Sequence, residues 1–194
     1  DLIKAGTNNI MVSGGMESMT NAPYLMPKAR DGYRMGHTEV LASMFVDGLA
    51  DAETGRLMGS FAQDMADKYQ MTREDMDAFA INSLTKARDA ISHGYLQAET
   101  IPVTIKTKKG ETTVTEDEQP GNANFEKIPQ LRPAFKADGS ITAANASSIS
   151  DGASALVLAS EDAIREHKLE AMAKIIGHST NSCHLYPSDA ADDL

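Results

Sequence analysis

Few residues of this 194-residue chain are arranged for covalent, acid/base or metal chemistry. Cys183 is its one cysteine and is followed by His184. The side chains of neighbouring residues usually diverge, so adjacency in the sequence does not indicate a catalytic pair of cysteine nucleophile and histidine base. His37, His93 and His167 are isolated, and none has a partner four residues away that would help to hold a metal on a helix. The sequence therefore predicts no catalytic residue and no metal site.

Two clusters of small residues are more informative. Residues 12–19 follow a predicted strand and contain a double glycine, which lets a neighbouring chain or a ligand approach the backbone closely. Residues 142–153 are mostly Ala, Ser and Asn, and they leave room for a narrow apolar or amide-bearing ligand arm. Tight packing at a domain junction explains this second cluster equally well.

Basic side chains that are candidates for contacts with the phosphates of a nucleotide-like ligand are Lys28, Arg30, Arg34, Lys127, Arg132 and Lys136.

The overall composition excludes several kinds of partner. With 28 acidic and 18 basic side chains the formal net charge is −10, which argues against nucleic acid and anionic membrane surfaces as partners. No apolar run approaches the roughly 20 residues of a membrane span. A single cysteine favours a reducing compartment, so we expect the protein in the cytoplasm.

The two ends of the chain have the pattern of an α/β fold. Residues 1–6 are typical of the last turn of a helix, and the apolar run 9–13 predicts a strand covered on both faces of a parallel sheet. Residues 155–159 predict a second buried strand in the same sheet, followed by a helix that Ser160 caps. We expect the next strand at 172–176.

The middle of the chain is organised differently and predicts an inserted α+β domain. Periodicity is weak over residues 21–59, which predicts an irregular segment with short helices. A helix capped by Thr72 and ended by Gly94 follows, and the alternating pattern at 101–105 and 113–115 predicts a hairpin. The apolar stripe of the helix comprises Met76, Phe79, Ala80, Leu84, Ala87 and Ile91.

Four segments together resemble the thiolase family, in particular its acetyl-CoA acetyltransferases. They are residues 13–24 (SGGMESMTNAPY), 33–36 (YRMG), 131–135 (LRPAF) and 145–153 (NASSISDGA), and their order and separation also match. The resemblance covers about residues 1–180. It implies an α/β fold of two similar βαβαβαβαββ domains, the first of which carries an inserted α+β loop domain.

The resemblance also implies a division of the chain, which we expect to be an internal fragment with a partial thiolase fold. Residues 1–20 correspond to part of the N-terminal core domain, and residues 21–140 correspond to the loop domain, with a tetramerisation loop at about 22–36. Residues 141–180 return to the core domain. Residues 181–194 do not resemble the family.

By the same resemblance the chain binds coenzyme A or acetyl-CoA as a substrate and holds no permanently bound cofactor. The segment that resembles the lining of the pantetheine arm includes Ser147, whose hydroxyl or backbone suits a hydrogen bond to a pantetheine amide. The residues at ligand-contacting positions are Leu49, Met58, Phe135, Ala143, Ser147 and Ile149.

The implied reaction is acetyl transfer between thioesters in fatty acid metabolism, catalysed by a homotetramer. In the family, a cysteine thiolate takes the acyl group, a histidine activates it, and a second cysteine moves a proton of the α-carbon. On this template the nucleophile lies upstream of Asp1, and the other two groups lie beyond Thr180. We therefore expect the chain to be inactive alone.

An alternative hypothesis is that the chain is a non-catalytic acyl-CoA-binding or subunit-interaction module. Binding of coenzyme A to the isolated chain tests it.

Overall fold

The computed structural model describes residues 1–179, which form two compact units. The first unit comprises Asp1–Gly55 and the chain from Ile149 onward, and the second comprises Arg56–Ser148. The predictions for Cys183 and for residues 181–194 fall outside the described residues.

The first unit is built on one pair of long strands. Strand β1 (Ile10–Ser18) pairs with the strand Asp151–Ala159, which is the last of six strands within residues 1–179 and is called β6. The prediction that these segments share a sheet is confirmed. The predicted parallel direction is wrong for this pair, because Ile10 lies opposite Ala159 and Ser18 lies opposite Asp151. An apolar run predicts a strand and its burial, but it does not fix the direction of the neighbouring strand.

Both faces of this β1–β6 ribbon carry exposed apolar side chains. Leu156 and Val157 are 66% and 67% exposed, and successive side chains on a strand point to opposite faces. Val12 and Met16 on β1 are also largely exposed. The predicted cover on both faces of the strand is therefore absent within the described residues.

Gly14 lies where the two strands of the ribbon approach most closely. A Cβ atom added to Gly14 would lie 2.0 Å from the backbone oxygen of Ser154, whereas one added to Gly15 would have no atom within 4 Å. The double glycine thus includes one position that excludes any side chain and one that tolerates it.

The segment after the ribbon confirms one prediction and contradicts another. Ser160 caps the short helix Glu161–His167 by accepting a hydrogen bond from Ala163 N–H at 3.2 Å. The strand predicted at 172–176 is absent from this part of the described chain. Met172 and Ile176 are almost fully exposed, and no described strand lies beside them to supply the hydrogen bonds of a ladder.

The rest of the first unit is irregular, as predicted. Residues 1–6 form a turn in which Ala5 N–H donates to Asp1 O at 2.8 Å, and Gly6 follows at φ +72°. The later segments are the 3-10 turns Met19–Asn21 and Ala29–Asp31, the paired short strands β2 (Tyr24–Leu25) and β3 (Leu41–Ala42), and the π-helical turn Met44–Leu49.

The second unit contains two helices of more than ten residues and a hairpin. Helix α1 is Met58–Lys68 and helix α2 is Arg73–Ser92. The predicted cap of α2 is confirmed, because the Thr72 hydroxyl oxygen accepts from Asp75 N–H at 3.1 Å. The predicted hairpin is also confirmed. The remaining elements are β4 (Val103–Thr107), β5 (Gly110–Val114), α3 (Glu118–Asn122) and the 3-10 helix Phe125–Gln130.

The buried face of α2 differs from the predicted apolar stripe. Ala80 is buried as expected, but Phe79 is 76% exposed. The other buried residue on α2 is Asp77, at 4% exposure. Five of the six predicted stripe residues are buried or half-buried, but the prediction is wrong for Phe79 and did not include the buried carboxylate of Asp77.

Arg88 connects α2 to the chain that follows the hairpin. Its guanidinium donates to the carbonyl oxygens of Pro120 at 2.6 Å and Ala123 at 2.5 Å. The same group lies 4.4 Å from the centre of the Phe125 ring. These contacts satisfy carbonyl groups at the end of α3 that have no partner within that short helix.

No helix among residues 1–179 combines the length and apolar character that crossing a bilayer requires.

We expect Gly14→Ala to destabilise the β1–β6 ribbon by about 2 kcal/mol, because the added methyl group has no space beside Ser154. Urea unfolding measures the change in the free energy of unfolding, and amide hydrogen exchange in β1 shows whether the loss lies in the ribbon. Gly15→Ala is the matched control and should change the free energy of unfolding by less than about 0.5 kcal/mol. Equal effects of the two substitutions would contradict the proposed close approach.

Candidate functional site

The small-residue cluster that the sequence singles out begins with a hydrogen-bonded turn in the second unit, residues 139–147, here called the small-residue turn. Ala146 N–H donates to Thr142 O at 3.1 Å, and Thr142 N–H donates to Asn145 Oδ1 at 2.7 Å. Thr142 is fully buried, whereas Ala143 and Ser147 are exposed. The turn thus has a buried base and a solvent-facing tip.

Gln63 on α1 holds the start of this turn. Its side-chain oxygen accepts from Ser140 N–H at 2.8 Å and from Ile141 N–H at 3.1 Å. Its side-chain nitrogen donates to Asp67 Oδ1 at 2.8 Å and to Ser140 Oγ at 3.1 Å. Gln63 is 3% exposed, so its amide is removed from water with its hydrogen-bonding capacity filled.

Helix α2 holds the end of the turn through Asp77. One carboxylate oxygen of Asp77 accepts from Arg73 Nε at 2.6 Å, and the other accepts from Asn145 Nδ2 at 3.1 Å. Asn145 Nδ2 also donates to Ser140 O at 3.0 Å. Asn145 therefore connects the buried carboxylate to both sides of the turn.

The segment that contains Phe135 is attached to the same two helices. Arg73 Nη2 donates to the carbonyl oxygens of Ile128 and Leu131, each at 3.0 Å. Further along, the Phe135 ring lies directly against the backbone of Gly59, where an added Cβ atom would be 2.1 Å from ring carbon Cζ. Met58 immediately precedes Gly59, so Phe135 packs against the residue that follows the predicted residue Met58.

An apolar groove of about 720 Å³ lies between α2 and the small-residue turn. Its wall on α2 includes Met76 and Phe79, and its other wall is the backbone and side chains of residues 144–147. A narrow apolar surface with a few hydroxyl and amide groups suits an aliphatic chain that contains amides. Ser147 is the predicted contact residue that lines this groove. Its complete lining is Met71, Asp75, Met76, Phe79, Ala80, Ser83, Leu84, Ala144, Asn145, Ala146 and Ser147.

The remaining predicted contact residues belong to the first unit. Leu49 ends the π-helical turn Met44–Leu49 and is half-buried. Ile149 is 57% exposed. Four of the six predicted residues (Met58, Phe135, Ala143 and Ser147) thus lie in the second unit.

The sequence analysis missed the residues that hold the turn. The predicted site does not include Gln63, Arg73 or Asp77, and Asn145 is predicted only as part of the small-residue cluster and of the segment 145–153 that resembles the thiolases. The signal for Arg73 and Asp77 was their spacing of four residues on a helix, which places opposite charges side by side. Gln63 gives no comparable local signal, because its backbone partners are 77 and 78 residues away.

Charged groups near the turn are paired rather than directed at a ligand. Lys136, one of the basic residues proposed for phosphate contact, donates to Asp67 Oδ2 at 2.8 Å. This hydrogen bond, followed by the one from Gln63, lowers the pKa of Asp67, and it raises the pKa of Lys136. The other five basic candidates are exposed. Within residues 1–179 no three His, Cys, Asp or Glu side chains are grouped as a metal ion would require.

Comparisons with known proteins identify the family. Residues 1–162 match the model of the thiolase N-terminal domain. The chain therefore belongs to the thiolase family, and the predicted fold class, a partial thiolase fold of mixed helices and strands, is confirmed.

Curated relatives are named for acyl transfer to or from coenzyme A. The acetyl-CoA acetyltransferase of Schizosaccharomyces pombe is 44% identical over 177 residues, which is 90% of this chain and 45% of the relative. A probable acetyl-CoA acyltransferase of Staphylococcus aureus is 41% identical over 181 residues, 92% of this chain and 46% of the relative. The chain spans about half the length of the curated relatives it matches.

Solved structures of thiolases have the same fold. The acetyl-CoA acetyltransferase of Syntrophomonas wolfei superposes with a TM-score of 0.79 at 42% identity, over 87% of this chain and 43% of that one. The Acat5 thiolase of Ascaris suum, solved in complex with coenzyme A, gives a TM-score of 0.77 at 40% identity with the same coverage.

We expect Gln63→Leu to destabilise the second unit by about 3 kcal/mol, because it leaves the buried N–H groups of Ser140 and Ile141 without an acceptor. Urea unfolding measures the loss. Gln119→Leu, at an exposed position on α3, is the control and should change the free energy of unfolding by less than about 0.5 kcal/mol. A loss for Gln63→Leu no larger than that of the control would contradict the role of Gln63 in holding the small-residue turn.

The pKa of Asp67 supplies a test of its contact with Lys136. Because this pKa is lowered in the folded chain, the contact stabilises the fold above the ordinary carboxyl pKa of about 3.9, and this stabilisation is lost as the pH falls through the lower folded-state value. Lys136→Met removes the largest cause and should raise the pKa of Asp67, measured by NMR titration of its carboxyl carbon. Lys127→Met should leave it unchanged, and an unchanged pKa in both variants would disprove the pairing.

Proposed function

We propose that this chain carries the coenzyme A-binding part of an acetyl-CoA acetyltransferase. The observation that carries the proposal is the small-residue turn, whose base is buried and fixed by Gln63 and Asp77 while Ala143 and Ser147 face outward. The chain's membership of the thiolase family and the coenzyme A complex of the Ascaris suum relative support this choice of ligand.

In this proposal the turn lines the pantetheine arm of the thioester. Its small side chains allow the arm to approach the backbone, and the Ser147 hydroxyl bonds to a pantetheine amide. Met58 and Phe135 supply a further apolar contact. Leu49 and Ile149, which belong to the first unit, remain predictions of the resemblance. The contribution of these residues is to bind the thioester and to orient it, since a fixed ligand meets the reacting groups without further loss of entropy.

The chemical step that we propose for the whole enzyme is covalent catalysis by a cysteine thiolate. The histidine accepts the proton of the cysteine thiol, and the resulting thiolate attacks the thioester carbonyl. The acyl group moves to the cysteine sulfur, and coenzyme A leaves as a thiolate that takes the proton back from the histidine. The attacking group is not among the ligand-contacting residues of this chain, whose one cysteine is Cys183. The chain therefore contributes substrate binding, while the cysteine and histidine groups belong to other parts of the enzyme.

We further propose that the enzyme is a cytoplasmic homotetramer of fatty acid metabolism in which residues 22–36 contact another subunit. This segment carries exposed apolar side chains, with Tyr24 at 71%, Met26 at 51% and Met35 at 98% exposure. Its Met- and Pro-rich sequence and weak periodicity suit a contact surface better than a ligand site. The division of the chain into core and loop-domain segments at about residues 20 and 140 belongs to the same proposal.

A second candidate is a non-catalytic module that binds acyl-CoA or pairs with another subunit. The exposed apolar side chains on both faces of the β1–β6 ribbon favour a pairing role, because such surfaces associate readily.

Calorimetry with coenzyme A on the folded 194-residue chain tests ligand binding. We expect Ala143→Leu to weaken the affinity about tenfold by filling the space of the pantetheine arm. Ala98→Leu, at an exposed position after α2, should bind as the unsubstituted chain does. Absence of heat at millimolar coenzyme A, or equal affinity of the two variants, would contradict the proposed site.

The catalytic assignment predicts that the 194-residue chain alone does not cleave acetoacetyl-CoA. Its one cysteine is not assigned to the reaction, so Cys183→Ser should also leave the binding of coenzyme A unchanged. A thiolysis assay that follows loss of the acetoacetyl-CoA absorbance is the measurement. Cleavage by the purified chain that disappears in Cys183→Ser would overturn the assignment.

A further inference from the structure

Asp77 is a buried carboxylate that accepts a hydrogen bond from Asn145 in the proposed ligand-binding turn. Its side chain is 6% exposed, and Asn145, which lines the groove, separates it from the groove. Burying a carboxylate is costly unless each oxygen finds a donor. Asp77 meets this condition with Arg73 on one oxygen and Asn145 on the other.

The orientation of Asn145 depends on this carboxylate. Because Asp77 and Ser140 O both accept hydrogen bonds, the NH2 group of Asn145 must face them. The amide oxygen of Asn145 then faces Thr142 N–H, which donates to it at 2.7 Å. Asp77 and Ser140 O together therefore set which end of the Asn145 amide meets Thr142 N–H.

We propose that Asp77 is a positioning residue for the binding of coenzyme A thioesters, acting through Asn145 on the turn that presents Ala143 and Ser147. It does so without touching the ligand. The inference rests on the proposed function for its ligand, but the ordering of the turn by Asp77 is measurable without any ligand.

Arg73 links the contact between Asp77 and Asn145 to a second part of the site. The guanidinium that holds Asp77 also donates to Ile128 O and Leu131 O, in the segment leading to Phe135. One ion pair on α2 therefore fixes both the small-residue turn and the approach to Phe135. Only a carboxylate at position 77 accepts from both Arg73 and Asn145, because an asparagine there has one acceptor and one donor.

Asp77→Asn is thus the informative substitution, since it preserves volume and removes one of the two acceptors. We expect coenzyme A to bind about tenfold more weakly, the size expected for one charge-assisted hydrogen bond, when calorimetry is performed on samples whose circular dichroism shows the folded state. Exchange of the Thr142 amide proton should become at least about tenfold faster, while amides in the middle of α2 keep their rates.

Asp89→Asn is the matched control, because it makes the same chemical change at an exposed position on the same helix. It should alter neither the affinity nor the exchange of Thr142. Asn145→Asp is the second variant. It replaces the donor with a carboxylate facing Asp77 and Ser140 O, and it should produce the same two effects even if Asp77→Asn does not fold.

The outcomes separate this proposal from the proposed function. Lower thermal stability of Asp77→Asn with unchanged affinity and unchanged Thr142 exchange would overturn the proposal and leave Asp77 a purely structural residue. If the unsubstituted chain does not bind coenzyme A, the proposed function fails. The ordering role of Asp77 is then decided by Thr142 exchange alone, and unchanged exchange in Asp77→Asn overturns it.

Discussion

The hydrogen bonds that the Gln63 amide makes to the backbone N–H groups of Ser140 and Ile141 are the interaction on which the site depends. Backbone donors removed from water must find acceptors, and this stretch has no strand partner to supply them. A side chain on α1 does so instead. The small-residue turn is therefore fixed by a helix nearly 80 residues earlier in the chain, and its tip is left free for a ligand.

The same constraint explains why polar residues occupy the centre of the second unit. Its buried residues include Gln63, Asp77 and Thr142 beside Ala66, Ala80, Ile128 and Ile141. A purely apolar core would hold the helices together but would not select one conformation for an irregular segment. Hydrogen bonds are directional, whereas hydrophobic packing is not. The buried hydrogen-bond network therefore selects one conformation of the small-residue turn. The β1–β6 ribbon of the first unit is the opposite case, because its backbone is paired while its apolar side chains remain exposed.

Local features of the fold could be predicted from the sequence, and long-range ones could not. Thr72 and Ser160 cap helices through neighbours three residues away, so their roles are evident from a short window. The hairpin and the glycine after α2 are equally local. The antiparallel direction of the ribbon and the burial of Asp77 depend on partners far along the chain, and periodicity alone did not indicate either. The ligand-contacting residues came from the resemblance to thiolases, and the residues that hold them came from the structure.

The most direct measurement for this account is amide hydrogen exchange of the unsubstituted chain at Ser140, Ile141 and Thr142. These amides lie outside helices and strands, so an ordinary loop would exchange them as fast as the exposed turn of the hairpin at Lys108. The account predicts protection comparable to that of amides in the middle of α1 and α2. Ser140 and Ile141 donate to the buried side chain of Gln63, and Thr142 donates to the half-buried side chain of Asn145. Exchange at the rate of the hairpin turn would contradict it.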